Sequence, residues 1–280
     1  MDTDRLTVSV AMLLEDASEK KSAPKDMTLS SKLYTAYFFI SSAILVWISA
    51  VICLFTAPFD PNRKLVHMYS CWWGFHYVAL NPRWNCTFEG LENIRKDKTY
   101  VLVANHQSYW DIMVLYGLYR PYKWVSKEDI FKMPFIGWNM YFNQYVKISR
   151  GELKSIKQMM ADCKAWLNNG ASIMIFPEGT RSEDGELQQF RDGPFKLACD
   201  CNVEVVPIVI DGTHKVLPKG SPNLDFSTKI SVRVLPAVNP NDFEKKPRAI
   251  REHVKEQMAI ALKELRSASA AESKALALQD

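Results

Sequence analysis

The sequence predicts an α/β domain, a mixed and largely parallel sheet of about seven strands flanked by helices, preceded by an N-terminal membrane-associated helical hairpin. Three observations carry that prediction. From Trp84 onward, short apolar runs rich in β-branched residues alternate with segments of helical period, the pattern of strands joined by covering helices. Ahead of them, Leu33–Ala57 runs twenty-five residues without a charge. Three strand ends then break abruptly into polar loops, where open α/β sheets place their chemistry.

Composition narrows the field. A chain of 280 residues can bury one large core or two small ones. The net charge of +4 is mild, and no Arg/Lys stripe is interleaved with stacking aromatics, which argues against nucleic acid as a partner. A basic balance beside an apolar segment fits an anionic lipid bilayer better. The six cysteines, at 53, 71, 86, 163, 199 and 201, form no C-x-x-C pair and no zinc spacing with His, so they read as free thiols in a reducing compartment, and no metal is expected. Asn85-Cys86-Thr87 has the form of a glycosylation acceptor, which carries no weight in a cytosolic domain.

Residues 1–32 are polar, with Asp2 and Asp4 where a secretory signal needs basic residues; they read as a tail with a short helix near Val8–Leu14. As a helix, Leu33–Ala57 extends about 37 Å, enough to cross a hydrocarbon core of about 30 Å. Pro58 and Pro61 end it. Leu65–Leu80 is shorter and carries His67, His76 and the aromatics Trp72, Trp73, Phe75 and Tyr77, a cluster suited to the membrane–water boundary. Lys20, Lys21, Lys25 and Lys32 on one flank, with Arg63 and Lys64 on the other, favour a hairpin returning to its own side over a single span. A buried core helix is the alternative. The chain thus divides into a tail (1–32), a two-helix membrane segment (33–81), a catalytic domain (82–266) and a frayed, Ala/Ser-rich tail (267–280).

Within the α/β part, strands are expected at Asn85–Phe88, Tyr100–Ala104, Lys123–Ser126, Tyr145–Ile148, Ser172–Phe176, Val203–Ile210 and Lys229–Leu235. Helices are expected near Trp110–Leu118, Glu152–Asn168, Pro194–Asp200 and Arg248–Arg266. The last carries Ile250, Val254, Met258, Leu262 and Leu265 on one side, a stripe suited to covering the sheet.

The polar loops supply the chemistry. After Tyr100–Ala104 come Asn105-His106-Gln107-Ser108, then Asp111. With His106 in the loop and Asp111 in the first helical turn, the carboxylate can fold back on the imidazole, fix its tautomer and leave the other nitrogen as a general base. A loop His beside a capping Asp is the plain alternative. Arg150 follows a second strand, and Glu178-Gly179-Thr180-Arg181 a third. Arg offers planar recognition of phosphate, and a glycine lets backbone N–H groups approach an anion. Alternatively Arg150 is a surface charge and Glu178 pairs with Arg181.

These residues together resemble the membrane-bound glycerolipid acyltransferases, most closely the 1-acyl-glycerol-3-phosphate acyltransferases. Asn105 through Asp111 matches the family's N-H-x4-D block. Lys127 through Pro134-Phe135-Ile136-Gly137-Trp138 to Arg150-Gly151 is similar to its second block, Phe176-Pro177-Glu178-Gly179-Thr180-Arg181-Ser182 to its third, and Val206-Pro207-Ile208-Val209-Ile210 to its fourth. Two positions depart from the pattern, Asp192 and Lys147. The resemblance implies direct transfer of an acyl group from a thioester, acyl-CoA or acyl-ACP, to the hydroxyl of a lysophospholipid acceptor, without a cofactor. His106 oriented by Asp111 would be the base; Arg150, Glu178 and Arg181 would hold the phosphate, and Pro207 would shape the strand. It implies a membrane protein with its catalytic domain on the cytoplasmic face. Open alternatives are another acceptor (glycerol 3-phosphate, another lysophospholipid or a lyso-aminolipid), a thioesterase-type hydrolase using Ser108, and a non-catalytic membrane scaffold.

Overall fold

Tyr100, Leu102 and Ala104 point to one face of the sheet and Val101 and Val103 to the other, and each face meets its own buried cluster. Strand β2 (Tyr100–Ala104) is therefore apolar at every position, as a central strand covered on both sides must be. The computed structural model describes residues 26–149, 151–218 and 220–276. The expected helix near Val8–Leu14 and the phosphate candidate Arg150 lie outside them.

The sheet has seven strands in the order β1-β7-β6-β2-β5-β3-β4. These are β1 (Thr87–Glu89), β2, β3 (Tyr122–Lys127), β4 (Val146–Ile148), β5 (Ser172–Ile175), β6 (Glu204–Asp211) and β7 (Ser231–Val234). Every neighbouring pair is parallel except β6 with β7. The carboxyl ends of β2, β5 and β6 therefore lie side by side at one edge of the sheet. The first strand begins at Thr87 rather than Asn85, because Asn85 has a φ of 36°, incompatible with an extended chain.

One layer holds α1 (Leu29–Thr56), α2 (Lys64–Ala79), α3 (Trp110–Tyr116), α4 (Glu128–Phe131) and α5 (Ile136–Phe142). The other holds α6 (Leu153–Asn168), α7 (Gly193–Cys201) and α9 (Pro247–Leu276). A four-residue helix, α8 (Thr213–Val216), follows β6. The stripe Ile250, Val254, Met258, Leu262 and Leu265 is buried against the sheet, as its spacing predicts. Helix α9 does not end at Arg266 but continues to Leu276, since the Ala-rich stretch is itself a strong helix former. Helices α4, α5 and α8 have no counterpart among the expected elements; α4 and α8, at four residues each, are too short to show a period.

Helices α1 and α2 form the expected hairpin. Tyr34 bonds to the carbonyl of Tyr77, and Tyr69 to that of Leu45, so the two run antiparallel. Their environments differ. Helix α2 is mostly interior: His67, Cys71, Trp73 and Tyr77 are buried, with Trp72 half exposed. Helix α1 buries only Ser31, Phe39, Ser42, Val46 and Ser49, while Ile40, Ile44, Trp47, Val51 and Leu54 face outward. Among the described residues it is the one helix long and apolar enough to cross a membrane.

Candidate active site

Asn105 ends β2 by extending its pairing with a side chain: its Nδ2 donates to the carbonyl of Ile210 and its Oδ1 accepts from the N–H of Ile210, both at 2.8 Å. That clamp fixes where the next residue begins. His106 is 8% exposed, and its Nδ1 lies 2.8 Å from Asp111 Oδ2. The same carboxylate oxygen accepts the backbone N–H groups of Gln107 at 2.6 Å and Ser108 at 2.8 Å. Asp111 is wholly buried, so these donors hold a charge that water does not reach. The folding back of Asp111 onto His106 is thus present as the spacing predicts. Ring stacking sets the imidazole plane: His106 lies on Phe176 at 4.0 Å and 11°, and Phe176 in turn on Trp124 at 5.5 Å.

The loop after β5 is tied to the first. Ser182 N–H donates to the carbonyl of His106 at 2.7 Å, and the N–H of His106 to Glu178 Oε1 at 3.4 Å. Glu178 lies inside the loop; burial pushes its carboxyl up to about 8, and its Oε2 has no hydrogen-bond partner among the described residues. It makes no ion pair with Arg181. The Arg181 guanidinium instead sits 3.9 Å over the Tyr109 ring, a cation–π contact, and makes no hydrogen bond among the described residues. Gly179 has a φ of 70°, and a Cβ there would fall 2.7 Å from Arg191 Nε, so the glycine admits a neighbouring guanidinium. Thr180 is half-buried in the same turn.

His106, Tyr109 and Arg181 open on one cavity of about 520 Å³, which runs inward between the sheet and the hairpin. Tyr34, Phe38, Trp73, Met113 and Met140 give it apolar walls. An imidazole and a guanidinium thus line the same cavity as these apolar walls.

A family model described as acyltransferase matches residues 85–211, the span that holds Asn105, His106, Tyr109, Asp111, Phe176, Glu178 and Arg181. A 1-acyl-sn-glycerol-3-phosphate acyltransferase from Chlamydomonas reinhardtii is 36% identical over 226 residues, covering 79% of this chain and 68% of that protein. The chain belongs to the acyltransferase family. A chloroplastic 1-acyl-sn-glycerol-3-phosphate acyltransferase from Arabidopsis thaliana is 37% identical over 202 residues, 70% of this chain and 56% of that one. This acyltransferase therefore spans between about half and two thirds of those relatives. The crystal structure of the 1-acyl-sn-glycerophosphate acyltransferase PlsC from Thermotoga maritima superposes with a TM-score of 0.69, at 26% identity, over 85% of this chain and 97% of that one.

The two unusual positions have local explanations. Asp192 pairs with Arg251 at 2.6 Å, so its negative charge is matched by α9. Lys147 is exposed and lies over the Tyr141 ring at 4.3 Å. In this acyltransferase Ser108 is wholly buried, its hydroxyl donates to the carbonyl of Leu217 at 3.0 Å, and it does not line the cavity. Sequence reasoning missed Phe176 and Tyr109 as site residues. It also missed Thr213, though a polar residue just past the carboxyl end of β6 obeys the same rule that marked the other loops.

Proposed function

We propose that this acyltransferase moves a fatty acyl group from an acyl thioester to the free hydroxyl of 1-acyl-glycerol-3-phosphate, giving phosphatidic acid. The His106–Asp111 contact, with His106 lining the apolar cavity, is the observation that carries the reading. With Nδ1 held by Asp111, Nε2 takes the proton of the acceptor hydroxyl as its oxygen attacks the thioester carbonyl. The tetrahedral adduct collapses, the C–S bond breaks, and the thiolate leaves with the proton returned from the imidazolium. Positioned base catalysis of this kind contributes roughly 10²–10⁴-fold.

The remaining groups divide by chemistry. Arg181 meets the acceptor phosphate, its plane held by Tyr109, with Arg150 as the second phosphate candidate. Glu178, largely protonated at neutral pH, holds the His106 backbone from behind; Gly179 and Thr180 form the turn that presents Arg181. The apolar cavity takes acyl chain.

The membrane contact is the outward face of α1. Near one end of this helix Ser31 accepts the N–H of Leu224, and toward the other Ser49 bonds Asn139 at 2.9 Å, so both ends are fastened to the catalytic part. A helix held along its length in this way lies against one leaflet, with tail (1–32) and catalytic domain (82–266) on the cytoplasmic side. Labelling a Ser22→Cys variant with an impermeant reagent on sealed cells tests this; labelling from outside contradicts it.

Purified protein in detergent, offered labelled acyl-CoA or acyl-ACP with a panel of lyso-acceptors, tests the activity. Preference for 1-acyl-glycerol-3-phosphate over its dephosphorylated analogue is expected; equal use of both overturns the assignment of the acceptor.

A further inference from the structure

Asp111 has two carboxylate oxygens, and its own loop uses one. Oδ2 accepts from His106, Gln107 and Ser108. Oδ1 is reached from 102 residues further along the chain, where the hydroxyl of Thr213 donates to it. Asp111 and Thr213 are both fully buried, so without that hydroxyl an anionic oxygen would be left without its donor. We propose that Thr213 is a positioning residue for acyl transfer: it holds Asp111, and through Asp111 the tautomer and plane of His106. The proposal rests on His106 being the base.

The backbone around Thr213 is built for this contact. Gly212 has a φ of 98°, and a Cβ there would fall 2.1 Å from the carbonyl oxygen of Lys229. Only glycine can turn the chain so sharply at the end of β6, and the turn directs Thr213 inward. A second acceptor, Gln107 Oε1, lies 3.2 Å from the Thr213 hydroxyl. A hydroxyl has one hydrogen to give, so the two acceptors compete. Gln107 Nε2 donates to the carbonyl of Gly185 at 3.0 Å, which fixes its amide, and Oε1 then also faces His214 Nδ1 at 3.2 Å. Gln107 thus has His214 as a donor, whereas Asp111 Oδ1 has Thr213. The carboxylate is the stronger acceptor, and the hydroxyl hydrogen goes to it. The catalytic pair so becomes a three-residue chain joining the ends of β2 and β6.

The test uses the full-length protein in detergent, with Thr213→Val, Thr213→Ser, Asp111→Asn and the Asp111→Asn/Thr213→Val double variant. kcat and KM for 1-acyl-glycerol-3-phosphate are measured with a labelled acyl thioester, beside a thermal melt. Removing one hydrogen bond to a charged group predicts a fall in kcat of about 10-fold or more for Thr213→Val, with acceptor KM within about 2-fold. Thr213→Ser should restore most of the turnover, and the valine should add almost nothing to Asp111→Asn. If Thr213→Val melts early, Thr213→Ala removes the hydroxyl without misplacing a methyl, and the same outcomes apply. Wild-type kcat without the hydroxyl overturns the proposal, as does an equal fold-loss from Thr213→Val in the parent and in the Asp111→Asn background. So does a Thr213→Ser variant as impaired as Thr213→Val. Full turnover in Asp111→Asn itself is a distinct result: it removes Asp111 as the group that orients His106, and Thr213 falls with it.

Discussion

The Asn105–Asp111 loop and the Phe176–Ser182 loop leave adjacent strands and touch each other, yet they treat their polar groups in opposite ways. In the first, Asn105 is clamped to Ile210, Asp111 has four donors, and Ser108 is bonded to Leu217. In the second, Glu178 keeps an oxygen without a partner among the described residues and Arg181 rests on an aromatic face. Buried polar groups are ordinarily satisfied, and under the proposed function the first loop acts as a preorganised base while the second offers its cation to the acceptor phosphate. On that proposal the difference separates turnover from acceptor recognition.

The largest effect should come from the first loop. His106→Ala removes the base, and acyl transfer should drop roughly 10²–10⁴-fold while the melting temperature stays near that of the parent. Substantial residual turnover would break the comparison at its stronger side. Next is Arg181→Ala, which loses a charge-assisted contact with phosphate; acceptor KM should rise about 10-fold or more with donor KM unchanged. Arg181→Lys should recover only part, lacking the planar fork and much of the stacking on Tyr109. Equal losses toward the phosphate-bearing acceptor and its neutral analogue would make Arg181 a structural residue.

A smaller effect is expected at Glu178. Its carboxyl is raised to about 8 in the fold, so it is mostly neutral at pH 7 and Glu178→Gln should keep activity within about 3-fold. The contribution of the neutral carboxyl is fully present below about pH 4.3, the unfolded value, and is lost as pH rises through about 8. Thermal melts across that window should therefore fall in the parent more steeply than in Glu178→Gln; parallel curves would show an ionised Glu178. The smallest effect is that of salt on bilayer binding. The outward face of α1 is apolar, so 1 M salt, with a screening length of about 3 Å, should release little protein.

What the sequence shows and what it conceals divide along the same line. Strand β2 is legible to the residue because its short apolar run is rich in β-branched and aromatic residues and ends in a polar turn, and the His106–Asp111 contact because both partners are five residues apart in the chain. The stripe on α9 is legible for the same local reason, although the Ala-rich extension to Leu276 is not, since composition alone does not say where a helix stops. Thr213 escapes because its partner is 102 residues away. The motif singles out Arg181 as a phosphate candidate, but a motif cannot say that Tyr109, rather than Glu178, receives its charge. The hairpin is foreseen, while the burial of α2 is not. Its aromatics suit an interface as well as a core, and only the packing of Trp73 and Tyr77 beneath α1 decides between them.

The division between the two loops is tested most directly by one steady-state experiment on two variants. Phosphatidic acid formation is followed over a range of 1-acyl-glycerol-3-phosphate concentrations for Asp111→Asn and Arg181→Ala. Asp111→Asn should lose turnover by orders of magnitude with acceptor KM little changed, because it disturbs the tautomer and not the binding. Arg181→Ala should show a raised acceptor KM as its principal change. The same kcat and KM pattern in both variants would contradict the account.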